Sequence, residues 1–306
     1  MIDVTLLGCG GMLPLPKRFL TSLLVRHQGK SVLIDCGEST QVAIHLSPYS
    51  TKQIDHIVFT HFHGDHVTGL PGLLLTIANS HRTEPVHLWG GTGLQRIVSG
   101  LTVVCDKLPY QLILHEIPYH TPVCFQTGDL LWETLPVKHR VPCLAYSFSL
   151  PRQGKFDAAK AKALGIPVDY WSHLQKGEII KEPETGECWY PEDVLGAPRQ
   201  GLKVTYATDC RPSEALIDMA MHSDLFVAEG LYGDPNKKKD AAEKGHMVYQ
   251  EAAQMAKMAQ VKDLWLTHFS PAMLNPKEHL YVAQNIFPNT TVGYNLLTTT
   301  LRFKED

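Results

Sequence analysis

Apolar residues recur along the chain in short runs separated by polar or Gly/Pro-containing stretches. Read as β-strands, the runs fall at about 2–8, 21–26, 31–35, 56–60, 86–90, 111–117, 130–137, 143–149, 202–208, 224–228 and 263–268. The segment Leu70-Pro71-Gly72-Leu73 opens a helix-like apolar stretch over 70–79. Helical spacing also marks 38–46, 92–101, 213–221 and 246–259, the last with Val248, Ala252, Met255 and Met258 on one stripe. Strands interleaved with helices predict an α/β layered fold. No apolar run approaches the roughly 18 residues of a membrane span, and the N-terminus lacks the order of a secretory signal.

Residues 151–200 break this pattern. They carry Pro151, Gly154, Gly165, Pro167, Gly177, Pro183, Gly186 and Pro191 and few apolar runs. The expectation is a single domain over 1–306 with an inserted, protruding arm at about 151–200. The whole chain has 28 Lys and Arg against 31 Asp and Glu, so no general basic coat exists and a polyanion must meet a local patch. The first half of the arm supplies one: Arg152, Lys155, Lys160, Lys162 and Lys176 outnumber Asp157 and Asp169. The 7 cysteines form no C-x-x-C pair, which fits reduced thiols in a cytoplasmic protein. The 16 histidines direct attention to nitrogen ligands.

The densest chemistry is His61-Phe62-His63-Gly64-Asp65-His66, at the end of the 56–60 strand and before the 70–79 helix. Alternation puts His61 and His63 on one side, and Gly64 permits the reversal that brings Asp65 and His66 to the same point. So many imidazoles and a carboxylate are costly to bury together without a cation. His139, Asp209 and His268 each follow an apolar run, so all of them face one edge of the framework. Two ions are expected. His61, His63 and His139 would hold one, Asp65, His66 and His268 the other, and Asp209 would bridge them. Imidazole and carboxylate donors suit Zn2+, with Mn2+ or Fe2+ as alternatives. A pair of cations sharing a water suits hydrolysis.

The H-x-H-x-D-H loop resembles that of the metallo-β-lactamase superfamily, and other segments narrow the resemblance to the ribonuclease Z family. They are Leu6-Leu7-Gly8-Cys9-Gly10-Gly11, Asp35-Cys36-Gly37-Glu38-Ser39-Thr40-Gln41, His139-Arg140-Val141-Pro142, Asp209-Cys210-Arg211-Pro212 and Thr267-His268-Phe269-Ser270. The resemblance implies a four-layer αβ/βα sandwich with a dimetal site along one edge. It implies a homodimer whose arm grips tRNA. It makes the counterpart of Asp65 a ligand that also meets the attacking water, and gives a His–Glu pair, here Glu229 and His246, the task of protonating the leaving oxygen. Val227-Ala228-Glu229-Gly230-Leu231 keeps the Glu of the family's H-E-A-T-F but not its His, and His246-Met247-Val248 keeps the His of H-S-T but not its hydroxyls.

The leading expectation is a zinc-dependent phosphodiesterase that removes 3′ trailers from tRNA precursors. Asp65, Glu229 and His246 would be catalytic, and Lys17, Arg18, Arg211 and Lys155 would contact phosphates. Lys237-Lys238-Lys239 would add local positive charge. An alternative is a hydrolase of the same architecture acting on a small phosphodiester or other ester. A third, an RNA-binding scaffold without catalysis, would need a damaged ligand set, and no ligand is missing.

Overall fold

The computed structural model describes residues 1–183 and 186–304. The chain forms two compact units, Met1–Ser149 with Lys203–Arg302 and Leu150–Leu202 with Phe303–Asp306. In chain order the strands are β1 (Ile2–Gly8), β2 (Ser22–His27), β3 (Lys30–Ile34), β4 (Ile54–Val58), β5 (Val86–Gly91), β6 (Leu112–Ile117), β7 (Cys124–Thr127), β8 (Leu130–Val137), β9 (Cys143–Arg152), β10 (Ile180–Lys181), β11 (Cys188–Trp189), β12 (Arg199–Ala207), β13 (Leu225–Glu229), β14 (Asp263–Thr267), β15 (Thr290–Val292) and β16 (Leu297–Leu301). The helices are α1 (Thr40–Leu46), α2 (Gly64–Val67), α3 (Leu70–Asn79), α4 (Leu94–Leu101), α5 (Ala158–Ala163), α6 (Val168–Gln175), α7 (Pro191–Val194), α8 (Glu214–Ala220), α9 (Lys238–Glu243), α10 (Tyr249–Met258) and α11 (Leu280–Gln284).

The first unit holds two seven-stranded sheets, ordered β16-β1-β2-β3-β4-β5-β6 and β15-β14-β13-β12-β9-β8-β7. Each has an antiparallel part and a parallel part: β3 to β6 run parallel in the first, β12 to β15 in the second. Helices α1, α3 and α4 pack on the first sheet, and α8, α10 and α11 on the second. The inner faces meet where Trp89 of β5 stacks on Phe125 of β7 at 4.2 Å between ring centroids. There, too, the Tyr146 hydroxyl of β9 donates to the Phe59 carbonyl. Helix, sheet, sheet and helix therefore form four layers.

Most of the elements that the sequence pattern predicts fall within two residues of the observed ones. The predicted 56–60 strand instead runs Ile54–Val58, because after Phe59 the chain turns away from the ladder and Thr60 bonds to Asp35. The helix expected from 246 begins at Tyr249, after Gly245 takes a left-handed φ of 79°. Strands β7, β10, β11, β15 and β16 and helices α2, α5, α6, α7, α9 and α11 were missed. Thr-rich Leu297–Leu301 alternates exposed and half-buried positions at the sheet edge and carries no continuous apolar run.

Residues 151–200, expected as a protruding arm with few apolar runs, have a small core of their own. Ala161, Ile166, Leu174, Trp189 and Val194 are buried together, flanked by Phe156, Tyr170, Trp171 and Ile180. Single apolar residues on separate short elements make this core, so no run announces it. Asp157 caps α5 by accepting from the Lys160 main chain, and Trp171 Nε1 donates to the Ile166 carbonyl at 3.0 Å. These two tryptophans are packing residues here.

Leu73 on α3 is fully buried against the first sheet. Leu73→Ala should lower the unfolding free energy by about 2–5 kcal/mol. A denaturant titration monitored by circular dichroism measures it, and an unchanged midpoint would contradict the packing described.

Candidate metal centre

Most residues of the centre hang from strand ends of the first unit, with Asp65 and His66 on the short helix α2 and His246 on the loop before α10. His61 follows β4, His139 follows β8, Asp209 follows β12, Glu229 ends β13 and His268 follows β14. Ligands crowd outside the carboxyl ends of parallel strands because loops there are free to converge. Three turns need unusual backbone: Asp35, Asp209 and His268 have φ of 59°, 56° and 57°. Non-glycine residues adopt this left-handed region at a cost, and the surroundings must hold them there. Gly11 lies against His268, where a Cβ would sit 2.7 Å from the imidazole.

The donors form two connected groups. His61 Nε2 and His63 Nδ1 are 2.9 Å apart, and His139 Nε2 is 3.4 Å from His63 Nδ1. Asp209 Oδ2 lies 3.6 Å from His61 Nε2 and 3.7 Å from His139 Nε2. The other oxygen, Oδ1, lies 3.2 Å from His66 Nε2 and 3.1 Å from His268 Nε2. Asp65 Oδ2 completes the second group at 3.3 Å from His268 Nε2 and 3.7 Å from His66 Nε2. Ligands at 2.0–2.2 Å from a common ion stand roughly 3–3.6 Å from one another, so these spacings fit two ions with Asp209 between them. His66 Nε2 is buried and has no hydrogen-bond partner among the described residues, as expected of a nitrogen kept for a cation.

Outer contacts set the rings. His66 Nδ1 is 2.9 Å from Asp35 Oδ2, and Asp35 also accepts from the Thr60 main chain and hydroxyl. Thr60 Oγ1 is 3.1 Å from His61 Nδ1. His139 Nδ1 is 3.1 Å from the Gly245 carbonyl, so it donates there. The Met12 main-chain N–H donates to Asp65 Oδ2 at 2.6 Å. Such partners choose the tautomer and raise the basicity of the inward nitrogen. None of the roles of Asp35, Thr60 or Met12 follows from the motif alone. The signal for Asp35 was its place directly after an apolar strand.

Electrostatics match this donor set. Burial alone would push the Asp209 carboxyl up, but His268, His66 and His61 hold it well below the usual range. Burial would likewise depress His66, yet Asp209 and Asp35 on either side raise it well above an ordinary imidazole. His61 is depressed by burial and by the neighbouring rings. Two cations held among these donors would supply the positive charge that the buried carboxylates require, with His66 Nε2 unprotonated.

Glu229 and His246 form a pair beside the ligands. Glu229 is fully buried, its Oε2 is 3.0 Å from His246 Nδ1, and its Oε1 accepts from the Cys210 main chain. His246 Nδ1 is 4.0 Å from Asp209 Oδ2. Burial opposes a charged His246, and Glu229 outweighs it, so its pKa is raised.

The proposed phosphate contacts are not brought together in this way. Arg18 is buried and donates to the carbonyls of Ser270, Met273 and Leu274, so it braces a loop instead of facing solvent. Arg211 is bound to Glu251 and to the His246 carbonyl. Both had read as free cations because their partners lie far away in sequence. Lys17 is exposed on the loop before Arg18, and Lys155 is exposed in the second unit. Lys237, Lys238 and Lys239 pair with Asp240, Glu251 and Glu243, which disperses their charge.

A family model described as Anti-Pycsar protein Apyc1 matches residues 2–98. Ribonuclease Z of Clostridium kluyveri is 47% identical over 305 residues and is covered, like this chain, over its full length. Among solved structures, the short form of human tRNase Z aligns with a TM-score of 0.71 and 23% identity, covering 98% of this chain and 100% of that one. The metallo-β-lactamase fold protein YhfI of Bacillus subtilis aligns with a TM-score of 0.69 and 18% identity, covering 97% and 98%. The chain belongs to the ribonuclease Z family, and its four layers are the metallo-β-lactamase fold. Family and donor clusters together imply a divalent metal.

Replacing the carboxylate behind His66 tests the outer contacts. Asp35→Asn should weaken metal retention about 10- to 100-fold. Competition with a chromogenic chelator measures it, and wild-type affinity would remove Asp35 from the account.

Proposed function

We propose that this member of the ribonuclease Z family is a metal-dependent endoribonuclease that removes 3′ trailers from tRNA precursors. His61, His63 and His139 would hold one divalent ion, Asp65, His66 and His268 a second, and Asp209 both. The observation that carries this reading is the single carboxylate whose two oxygens face two separate donor groups. Zinc suits so nitrogen-rich a set. Two such cations supply Lewis acidity and a water that ionises near neutral pH.

The chain's own residues do the rest. Asp65 accepts the proton lost by the attacking water as its oxygen bonds to phosphorus. The bond from phosphorus to the ribose 3′-oxygen breaks, and its electron pair leaves with that oxygen. His246 supplies the proton from Nε2, since Nδ1 is engaged by Glu229. The products are a 3′-hydroxyl on the tRNA and a 5′-phosphate on the trailer. Glu229 keeps His246 protonated and aimed. Lys155 and the other lysines of the second unit offer contacts to the RNA backbone, which makes binding weaken with salt.

The active form in this reading is a homodimer in the cytoplasm. Val42 and Leu46 on α1, Leu75 on α3, and Val103 and Val104 after α4 are large apolar side chains left exposed on neighbouring elements. A second copy of the same face is the occupant that fits. The cytoplasmic assignment draws on 7 cysteines that form no disulfide, and no helix among the described residues is long and apolar enough to cross a membrane.

Three outcomes are expected. Purified protein with zinc should cut a precursor tRNA at the trailer junction, and a chelator should stop it reversibly. Cleavage of a small phosphodiester without cleavage of the precursor would transfer the chemistry to another substrate. Asp209→Ala should abolish turnover and metal retention together, whereas an active variant would refute the shared carboxylate. Val103→Glu combined with Leu46→Glu should shift the protein from dimer to monomer on size-exclusion chromatography with light scattering. A variant of unchanged mass would place the dimer contact elsewhere.

A further inference from the structure

His246 sits on the loop between α9 and α10, outside any strand end. Gly245 before it has a left-handed φ of 79°, and Val248, the residue before α10, has no side-chain oxygen with which to cap that helix. The His246 N–H donates to the Ala241 carbonyl and the Met247 carbonyl accepts from Leu231, and side chains tie the backbone at two consecutive carbonyls as well. The Gly245 carbonyl accepts from His139 Nδ1, and the His246 carbonyl accepts from Arg211 Nη1. Arg211 also makes a two-pronged ion pair with Glu251, Nη1 to Oε2 at 3.0 Å and Nη2 to Oε1 at 2.6 Å. Glu251 in turn accepts from the Val248 main chain, so one buried carboxylate serves both the arginine and the first turn of α10.

The other ends of these tethers lie in the ligand segments. Arg211 is two residues past Asp209, and its main-chain N–H donates to the Lys138 carbonyl, next to His139. Cys210, between Asp209 and Arg211, donates to Glu229, which holds the His246 ring. Residues 138–139, 209–211 and 245–246 are therefore linked into a closed ring of hydrogen bonds. A fork that merely stapled α10 to the sheet would need no bond to the carbonyl of His246 itself.

We propose that Arg211, through its fork to Glu251 and its bond to the His246 carbonyl, is a positioning residue that holds His246 at proton-transfer distance from the departing oxygen. The inference rests on the reading of His246 and Glu229 as the acid pair. A planar guanidinium can bridge a carboxylate and a carbonyl at once, which a point charge cannot. Removing it leaves the metal ligands in place and loosens only the group that supplies the proton. A loss of that kind matters most when the leaving oxygen is a poor one, as a ribose 3′-oxygen is, and least when it is a nitrophenolate that departs without a proton.

The experiment compares Arg211→Met, Glu251→Gln and His246→Ala on zinc-loaded protein with precursor tRNA and with aryl phosphodiesters of graded leaving-group acidity. His246→Ala sets the reference, a loss that grows as the leaving group worsens. Arg211→Met should show the same trend, with kcat/KM on precursor tRNA falling roughly 10- to 100-fold and at least about tenfold less on the nitrophenyl ester. Combining it with His246→Ala should cost little beyond His246→Ala alone, since the two act through one proton. Glu251→Gln keeps the side-chain volume and should repeat the trend more weakly, and it carries the test if Arg211→Met does not fold. Equal losses across all leaving groups, or losses that add to those of His246→Ala, would overturn the positioning role. A flat His246→Ala series would remove the acid assignment and this inference with it. A wild type that turns over the aryl esters but leaves precursor tRNA intact would refute the RNA reading, while the aryl series still judges Arg211.

Discussion

The carboxylate of Asp209 is the constraint around which the rest is arranged. It is almost wholly buried, and each oxygen faces imidazole nitrogens of a different group. An isolated carboxylate could not remain ionised there, because desolvation costs more than any single neighbour returns. The histidines around it, and the cations they are spaced to share, make the burial tolerable. The same carboxylate dictates the backbone: Asp209 is held in a left-handed turn at the end of β12, so the next two residues are thrown toward Glu229 and the loop of His246.

Rigidity at the site comes from the sheets. The ligands come from both seven-stranded sheets, and the layers between them are filled by close packing of fully buried side chains such as Phe59, Trp132 and Tyr146. Strand ends move little, so donor spacings near 3 Å can be kept before any ion arrives. That preorganisation suits water activation, where the cost of assembling charge is met in folding and not during each turnover. The outer contacts from Asp35, Thr60 and the Met12 main chain extend the same stiffness one layer outward.

How much of this could be read beforehand varied with how local the cause was. His61 to His66 crowd into one turn, and a run of imidazoles and a carboxylate speaks for itself. His139, Asp209 and His268 were legible because each closes an apolar strand, and the structure brings all of them to the same point. Arg18 and Arg211 were misread for the opposite reason. Their partners, the carbonyls of 270–274 and the carboxylate of Glu251, lie tens to hundreds of residues away, so a lone arginine beside a ligand segment looked free. The core of the second unit was invisible because Ala161, Leu174 and Trp189 sit on separate short elements with no period to connect them. Edge strand β16 failed on composition, since Thr alternating with half-buried Leu resembles a loop.

The departures from the family segments follow from where the side chains go. Ala228 replaces a His one residue before Glu229, and Met247 and Val248 replace hydroxyls after His246. All of these are fully buried. Apolar groups there enlarge the packing beneath the acid pair and add no polar atom needing a partner. Val248, the residue before α10, offers that helix no capping oxygen, and Glu251 accepts the Val248 main-chain N–H. A carboxylate buried to do this needs a counter-charge, and Arg211 provides it with two bonds. An arginine beside the metal ligands is drawn away from solvent, and the loop bearing His246 is bound to the segment bearing Asp209.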